Sequence, residues 1–308
     1  MSLFKTASEF SREKFAGRVQ KIPVDAGFTC PNRDGRLSHD GCIYCSNQSF
    51  SPFYSSAKAS ISEQLKTGSA FYAQKYNCQR FFAYFQSFTG TYAPIDTLRE
   101  KYLEALRFPG VEGLVIATRP DCIDKSVIEL LDDISQNCYI RVELGIESFE
   151  NQVLAAINRH HDDKAIFTAL NLLKMAKIDT CAHLIFGLPG ESVNVAELAA
   201  QKLSGSGAIL VKMHHLQVIA GTELASKTAT GSSEIKLHSL ESYLETVVRF
   251  IAHLSPQVYL ERFINRVPAR FLIAPKWGNV SEADFHKLLQ QKLLEMNLRQ
   301  GVKFGTWC

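Results

Sequence analysis

The strongest constraint on this chain's fold is a repeated alternation of short runs rich in β-formers with amphipathic stretches. Six such runs, residues 19–28, 81–85, 113–118, 139–145, 180–186 and 209–218, read as strands. Helical patterns lie between them. Asp162 or Asp163 can cap a helix whose apolar face is Ile166, Ala169, Leu170 and Leu173. Pro94 can open another through Leu98, Tyr102 and Ala105, which Pro109-Gly110 terminates. Regular β/α alternation with short connections requires a parallel sheet with right-handed crossovers. Six units over about two hundred residues fit a partial barrel or an open sheet. The fold class is therefore α/β.

Beyond these units the polar run 226–233 reads as a linker or lid. It divides the chain into an expected first unit, residues 1–225, and a C-terminal α/β extension, residues 226–308, which the substrate could contact. Within the extension, 240–254 reads as a helix and 258–263 as a further strand. Ser281 with Asp284 forms a capping box opening a helix with Phe285, Leu288, Leu289 and Leu293 on one face.

The chain's 308 residues are 46% apolar and 21% charged, as in an ordinary globular protein. No apolar run is long enough to span a bilayer, and Met1-Ser2-Leu3-Phe4-Lys5 has no signal architecture, so no membrane association is expected. Eight cysteines in a chain of this length are not a secreted disulfide framework and point to a reducing cytoplasm. Net charge is only +3, but from residue 256 onward eight Lys/Arg face four acids. Such a tail reads as a phosphate-contacting surface or as a solvated helix face.

Unusual residues fall at the C-terminal ends of the predicted strands, where a parallel barrel collects its chemistry. After the first strand comes Cys30-x11-Cys42-x2-Cys45. Three thiols without an evident fourth suit a [4Fe–4S] cluster with one open iron. A structural zinc using His39 as fourth ligand, or three unrelated buried thiols, are the other readings. Gln86-Ser87-Phe88-Thr89-Gly90-Thr91 follows the second strand and Thr118-Arg119-Pro120-Asp121 the third. Glu143-Leu144-Gly145-Ile146-Glu147-Ser148 closes the fourth and Gly187-Leu188-Pro189-Gly190-Glu191-Ser192 the fifth, while the sixth carries His214, His215 and Gln217.

With these pieces the chain resembles the radical S-adenosylmethionine (SAM) superfamily, in its YhcC/YtqA-type branch, related to the elongator catalytic subunit and to coproporphyrinogen dehydrogenase-like enzymes. The resemblance runs from Lys21-Ile22-Pro23-Val24-Asp25 to Ala274-Pro275-Lys276-Trp277. It implies a partial (β/α)6 TIM-like barrel, a [4Fe–4S] cluster on Cys30, Cys42 and Cys45, and SAM as second cofactor. Tyr44 would lie against the adenine, and Thr89-Gly90-Thr91 would bind the methionyl amino group. Glu147, twelve residues before Arg159, would take the ribose, and Arg159 the SAM carboxylate, since a guanidinium binds carboxylates bidentately. Ala117 stands where relatives often carry Glu. His183 stands where they often carry Asp, on the ribose or as a satisfied interior histidine. The implied reaction is reductive cleavage of SAM to a 5′-deoxyadenosyl radical that abstracts hydrogen from substrate. An electron donor such as flavodoxin or ferredoxin is implied with it. The first substrate expectation is a tRNA wobble-uridine side chain, with Arg262, Arg266, Arg270 and Lys276 on phosphates. The alternatives are a small metabolite beneath a lid at 221–233 and a non-enzymatic metal- or RNA-binding protein. An electron carrier would have no use for the loops after strands two, four and five, and a plain RNA module would need the basic C-terminal region but not the thiols.

Overall fold

The apolar runs fold into one curved parallel sheet with its strands in chain order. The computed structural model describes residues 2–231, 235–278 and 280–306. The strands are β1 (Gln20–Val24), β2 (Phe81–Phe85), β3 (Val111–Thr118), β4 (Tyr139–Glu147), β5 (Asp179–Phe186) and β6 (Leu210–His215). β7 (Val218–Ile219), β8 (Tyr259–Arg262) and β9 (Leu272–Ala274) follow. The main sheet has seven strands in the order β1-β2-β3-β4-β5-β6-β8, every pairing parallel, which makes a half-barrel. The run 258–263 thus supplies a seventh strand, paired Leu210 to Tyr259 beyond the expected six. All five residues of β2 are buried, as a parallel strand covered on both faces requires.

Ten helices are described: α1 (Ala7–Phe15), α2 (Ile61–Tyr76), α3 (Ile95–Leu106), α4 (Lys125–Ser135), α5 (Asn151–Ala156) and α6 (Asp163–Met175), then α7 (Val195–Ser204), α8 (Glu223–Thr230), α9 (Leu240–His253) and α10 (Glu282–Glu295). Asp162 caps α6 by accepting from Ala165 N–H, and Ser281 and Asp284 form the α10 capping box. The core-facing stripe of α4, Val127, Leu130, Leu131 and Ile134, is buried, each side chain stabilising the fold by ~1.5–3 kcal/mol. Tyr243, Val247 and Phe250 of α9 and Phe285, Leu289 and Leu293 of α10 belong to the same apolar core as the barrel strands. No described helix is long and apolar enough to cross a membrane.

Three readings of local structure change. The first strand stops at Val24, because Gly27, at φ +75°, donates to Asp25 Oδ1 and turns the chain into the cysteine loop. The sixth stops at His215, and Val218–Ile219 pairs antiparallel with Leu272–Ala274 in a separate two-stranded sheet. The polar run expected as a linker is helical through Thr230; Ser232 and Ser233 lie outside the described residues. Thr222 caps this helix, α8, and Leu224 anchors it, donating its N–H to Ile43 O at 2.8 Å.

Candidate cofactor and active site

The C-terminal ends of the strands surround a cavity of about 400 Å³ that contains the residues singled out by sequence. Cys30, Cys42 and Cys45 all line it. The cysteine loop is folded on itself: Arg33 and Asp34 donate backbone N–H to Cys30 O, and Arg33 Nη2 donates to Cys45 O at 2.9 Å. Asn32 reaches across to Asn158 O at 2.6 Å and to Cys42 Sγ at 3.5 Å. All three thiols are free. Burial, then the neighbouring Cys42, raises the Cys45 pKa. His39 is not among the cavity residues; its ring lies against Gly35. Among the described residues, no three His, Cys, Asp or Glu side chains are grouped as ligands of a single ion would be.

Arg159 faces the thiols. Its Nη1 donates to Cys42 Sγ at 3.6 Å, and its Nη2 donates to Gly145 O and lies 3.4 Å from Glu147 Oε1. A side chain at Gly145 would intrude here, its Cβ 2.8 Å from Arg159 Nη2 and 3.0 Å from Glu147 Oε1. Glu147 sits beyond a β-bulge at Gly145/Glu147 with φ +65°, a backbone state that costs a non-glycine residue about 1–3 kcal/mol and re-aims the side chain into the cavity. Burial opposes the Arg159 charge, but Tyr44, Cys42 and Glu147 hold its pKa well above the usual value. Tyr44 lines the cavity, and burial followed by Glu147 keeps its phenol protonated. The Thr-Arg-Pro-Asp segment supports this corner. Arg119 forms a fork on Asp121, both bonds 2.9 Å, and donates to Arg159 O at 2.7 Å.

The turn after β2 divides in its orientation. Thr89 lines the cavity, and its buried hydroxyl has no hydrogen-bond partner among the described residues. Gly90 and Thr91 do not line it. Gly90 N–H donates to Ala117 O, its carbonyl accepts from Tyr102, and a Cβ there would lie 2.7 Å from Ala117 O. The Thr91 hydroxyl is occupied by Thr118 and Cys122 O.

The opposite wall holds a buried charge network that the sequence reading did not assign. Glu143, fully buried, accepts from Lys21 at 2.9 Å, Arg141 at 3.1 Å, Tyr84 at 2.7 Å and Lys212, and lies 2.9 Å from His183 Nε2. Glu261 pairs with Arg141, Lys212 and Lys21, the last contact joining β8 to β1, the two edges of the half-barrel. Burial opposes ionisation of Glu143, yet Lys21 and Lys212 hold its pKa well below the carboxylate range. The signal was legible: Lys21, Arg141, Glu143 and Lys212 interrupt apolar strands, and a charge buried in such a strand needs a partner. His183 lines the cavity, and burial, then Lys212, lowers its pKa. His214 stands with its ring 5.6 Å from that of His183, its Nδ1 without a partner among the described residues. His215 instead stacks on Trp277 at 4.0 Å. Of the four C-terminal cations expected at the mouth, Arg262 lines the cavity; Arg266, Arg270 and Lys276 do not.

Four buried polar atoms around the thiols, Asn32 Oδ1, Thr89 Oγ1, Arg119 Nη1 and Arg159 Nε, lack partners among the described residues. Each such atom costs about 1–3 kcal/mol, so a polar ligand that satisfies them fits the place.

Residues 30–201 match the model of the Radical SAM superfamily, and residues 209–293 that of the Radical_SAM C-terminal domain. The chain belongs to the radical SAM superfamily. Radical SAM enzymes use a [4Fe–4S] cluster and SAM and need a reductant, and this chain is one of them. It is 31% identical to YtqA of Bacillus subtilis over 89% of its own length and 85% of that protein's. It is 32% identical to YhcC of Escherichia coli K12, over 90% and 89%. A tRNA uridine(34) acetyltransferase of Methanocaldococcus infernus is 29% identical over 58% of this chain and 33% of that one. Among solved structures, the archaeal Methanocaldococcus infernus Elp3 with its N-terminus deleted superposes with a TM-score of 0.67 at 20% identity, covering 92% of this chain and 64% of that one. That likeness concerns the fold.

Proposed function

We propose that Cys30, Cys42 and Cys45 hold the [4Fe–4S] cluster and that Arg159, Glu147, Thr89, Tyr44 and His183 hold SAM beside it. The reading rests on one observation: unpartnered polar atoms of Arg159, Arg119 and Thr89 line one cavity with three free thiols. Arg159 takes the SAM carboxylate, Glu147 accepts from the ribose hydroxyls and Tyr44 packs on the adenine. Thr89 makes the contact to the methionyl amino group, while Gly90 and Thr91, whose polar atoms are engaged elsewhere, shape the turn. His183 is held by Glu143 for the ribose side. Arg119 and Asp121 fix the backbone of Arg159. When bound, the two cofactors supply one-electron cleavage of SAM and hydrogen abstraction from substrate, and the residues around them orient the partners and exclude water.

We further propose that the substrate is a tRNA wobble-uridine side chain, that residues 1–225 form a unit carrying the first six barrel strands, and that residues 226–308, which add the seventh, contribute Arg262 and Asn265 to the substrate side of the cavity. Support for the substrate is the similarity to a tRNA uridine(34) acetyltransferase together with a cationic cavity wall. The setting is cytoplasmic and the reductant a flavodoxin or ferredoxin. The test is the mass profile of tRNA nucleosides with and without the gene. One modified wobble uridine should disappear. An unchanged profile, with no salt-sensitive tRNA binding by the purified protein, contradicts the tRNA reading.

A further inference from the structure

Large exposed apolar side chains gather on one flank of the barrel, behind the cysteine loop. Phe50 is 39% exposed, Phe53 80%, Phe71 40% and Tyr76 39%. Isolated exposed aromatics need no explanation, but a contiguous set marks a contact surface. Phe53, Phe71 and Tyr76 are contiguous through Tyr72. The Phe53 ring lies 6.0 Å from Phe71, Phe71 lies 5.2 Å from Tyr72, and Tyr72 stacks parallel to Tyr76 at 6.0 Å. Phe50 and Tyr72 also line the active-site cavity, so the strip begins where the chemistry takes place.

Cations are interleaved with the rings. The Arg18 guanidinium lies 4.1 Å from the centre of Tyr76, and Lys75 Nζ lies 5.2 Å from Tyr76 and 5.6 Å from Phe71. Neither Arg18 nor Lys75 has an ion pair with an acid among the described residues. Within residues 46–80, which contain the rings, Arg80 is held by Glu112, whereas Lys58, Lys66 and Lys75 have no ion pair with an acid among the described residues. Exposed rings, Phe53 above all, set among cations without acidic partners are what single-stranded nucleic acid requires: bases stack on the rings and phosphates meet the cations.

We propose that the strip formed by Phe53, Phe71, Tyr72 and Tyr76, with Arg18 and Lys75, is a stacking platform for single-stranded RNA that leads a nucleotide into the cavity. The proposal rests on the tRNA reading and deepens it, moving the main RNA contact from the basic C-terminal residues to the β1 flank. The strip is continuous with the substrate cavity, and its exposed rings favour nucleobases, which stack on them, over the reductant.

The test measures binding of unfractionated tRNA and of oligouridine to the reconstituted protein at several salt concentrations. The combined variant Phe53→Ala, Phe71→Ala, Tyr76→Ala should weaken both at least tenfold while leaving the salt dependence unchanged. The pair Arg18→Gln, Lys75→Gln should lower the slope of log affinity against log salt by roughly 1–2. Reduction of the cluster by reduced flavodoxin should proceed at the wild-type rate in both. Unchanged RNA affinity in the aromatic variant overturns the platform, and slowed reduction with unchanged RNA affinity makes the strip the reductant's dock. If tRNA binds and Arg262→Gln alone weakens it, the tRNA reading survives and the platform fails. If wild type binds neither RNA, both fall.

Discussion

Replacing Glu143 with Gln tests whether the buried network is a fold determinant of the half-barrel. In the native chain Lys21, Lys212 and Arg141 face Glu143 and Glu261. The variant leaves three cations against one carboxylate. One Glu143 oxygen accepts from Lys21 and Arg141, the other from Lys212 and Tyr84. A glutamine presents an oxygen to only one of these sets and N–H groups to the other, so either Lys212 or the Lys21–Arg141 pair loses its acceptor, and the remaining bonds lose the carboxylate charge. At about 1.5–3 kcal/mol for each charge-assisted bond, the loss is roughly 3–5 kcal/mol, in line with breaking a buried ion pair. That is about a fifth or more of a typical domain's stability. Urea denaturation of the cofactor-free protein reads it as a lower midpoint at an unchanged slope. Adding Lys212→Met to Glu143→Gln removes one of the uncompensated cations, so the double variant should be less destabilised than the sum of the singles by about 1–3 kcal/mol. A single-variant loss below about 1 kcal/mol, or strict additivity, would refute the reasoning.

Arg159→Lys keeps the charge but loses the fork toward Cys42, Gly145 and Glu147, so SAM affinity in equilibrium dialysis should fall about tenfold or more with iron content unchanged. Gly145→Ala should weaken SAM binding similarly, because its Cβ displaces the Arg159–Glu147 pair. Cys42→Ala should abolish iron incorporation, whereas Cys122→Ala, whose thiol burial pushes up to about 12, should leave it intact. Burial holds the His215 pKa down to about 3, against about 6.5 in the unfolded chain. Below pH 6.5 the unfolded state therefore binds a proton that the native state refuses, and stability falls with pH until about 3. At pH 5.5 the cost is about 1.4 kcal/mol, which His215→Phe should remove from urea midpoints compared between pH 7.5 and 5.5.

Strand positions were legible wherever an apolar run faced two covered layers, as at Phe81–Phe85. They failed where a short-range bond overrode the pattern, as at Asp25–Gly27 and beyond His215. Helix α8 was hidden because its anchor is Leu224 while Ser and Thr hydroxyls fill the rest, Thr228 donating to Leu224 O. The three cysteines, Arg159, Glu147 and Thr89 were nameable from spacing and family resemblance. Charges interrupting apolar strands marked the members of the Glu143 network, but their pairing was hidden, because they come from six strands and only tertiary structure brings them together. The flank aromatics look like ordinary core residues in sequence, and only their exposure sets them apart.

The central claim is that the three-cysteine loop and the Arg159 corner form one site for a cluster and SAM. The most direct measurement is electron paramagnetic resonance of the anaerobically reconstituted, dithionite-reduced protein, with and without SAM, alongside 5′-deoxyadenosine analysis. A reduced [4Fe–4S] signal that changes when SAM is added, with 5′-deoxyadenosine formed, is predicted for wild type; the signal should be absent in Cys42→Ala. A signal indifferent to SAM with no 5′-deoxyadenosine, or tightly bound zinc in place of iron, would contradict the account.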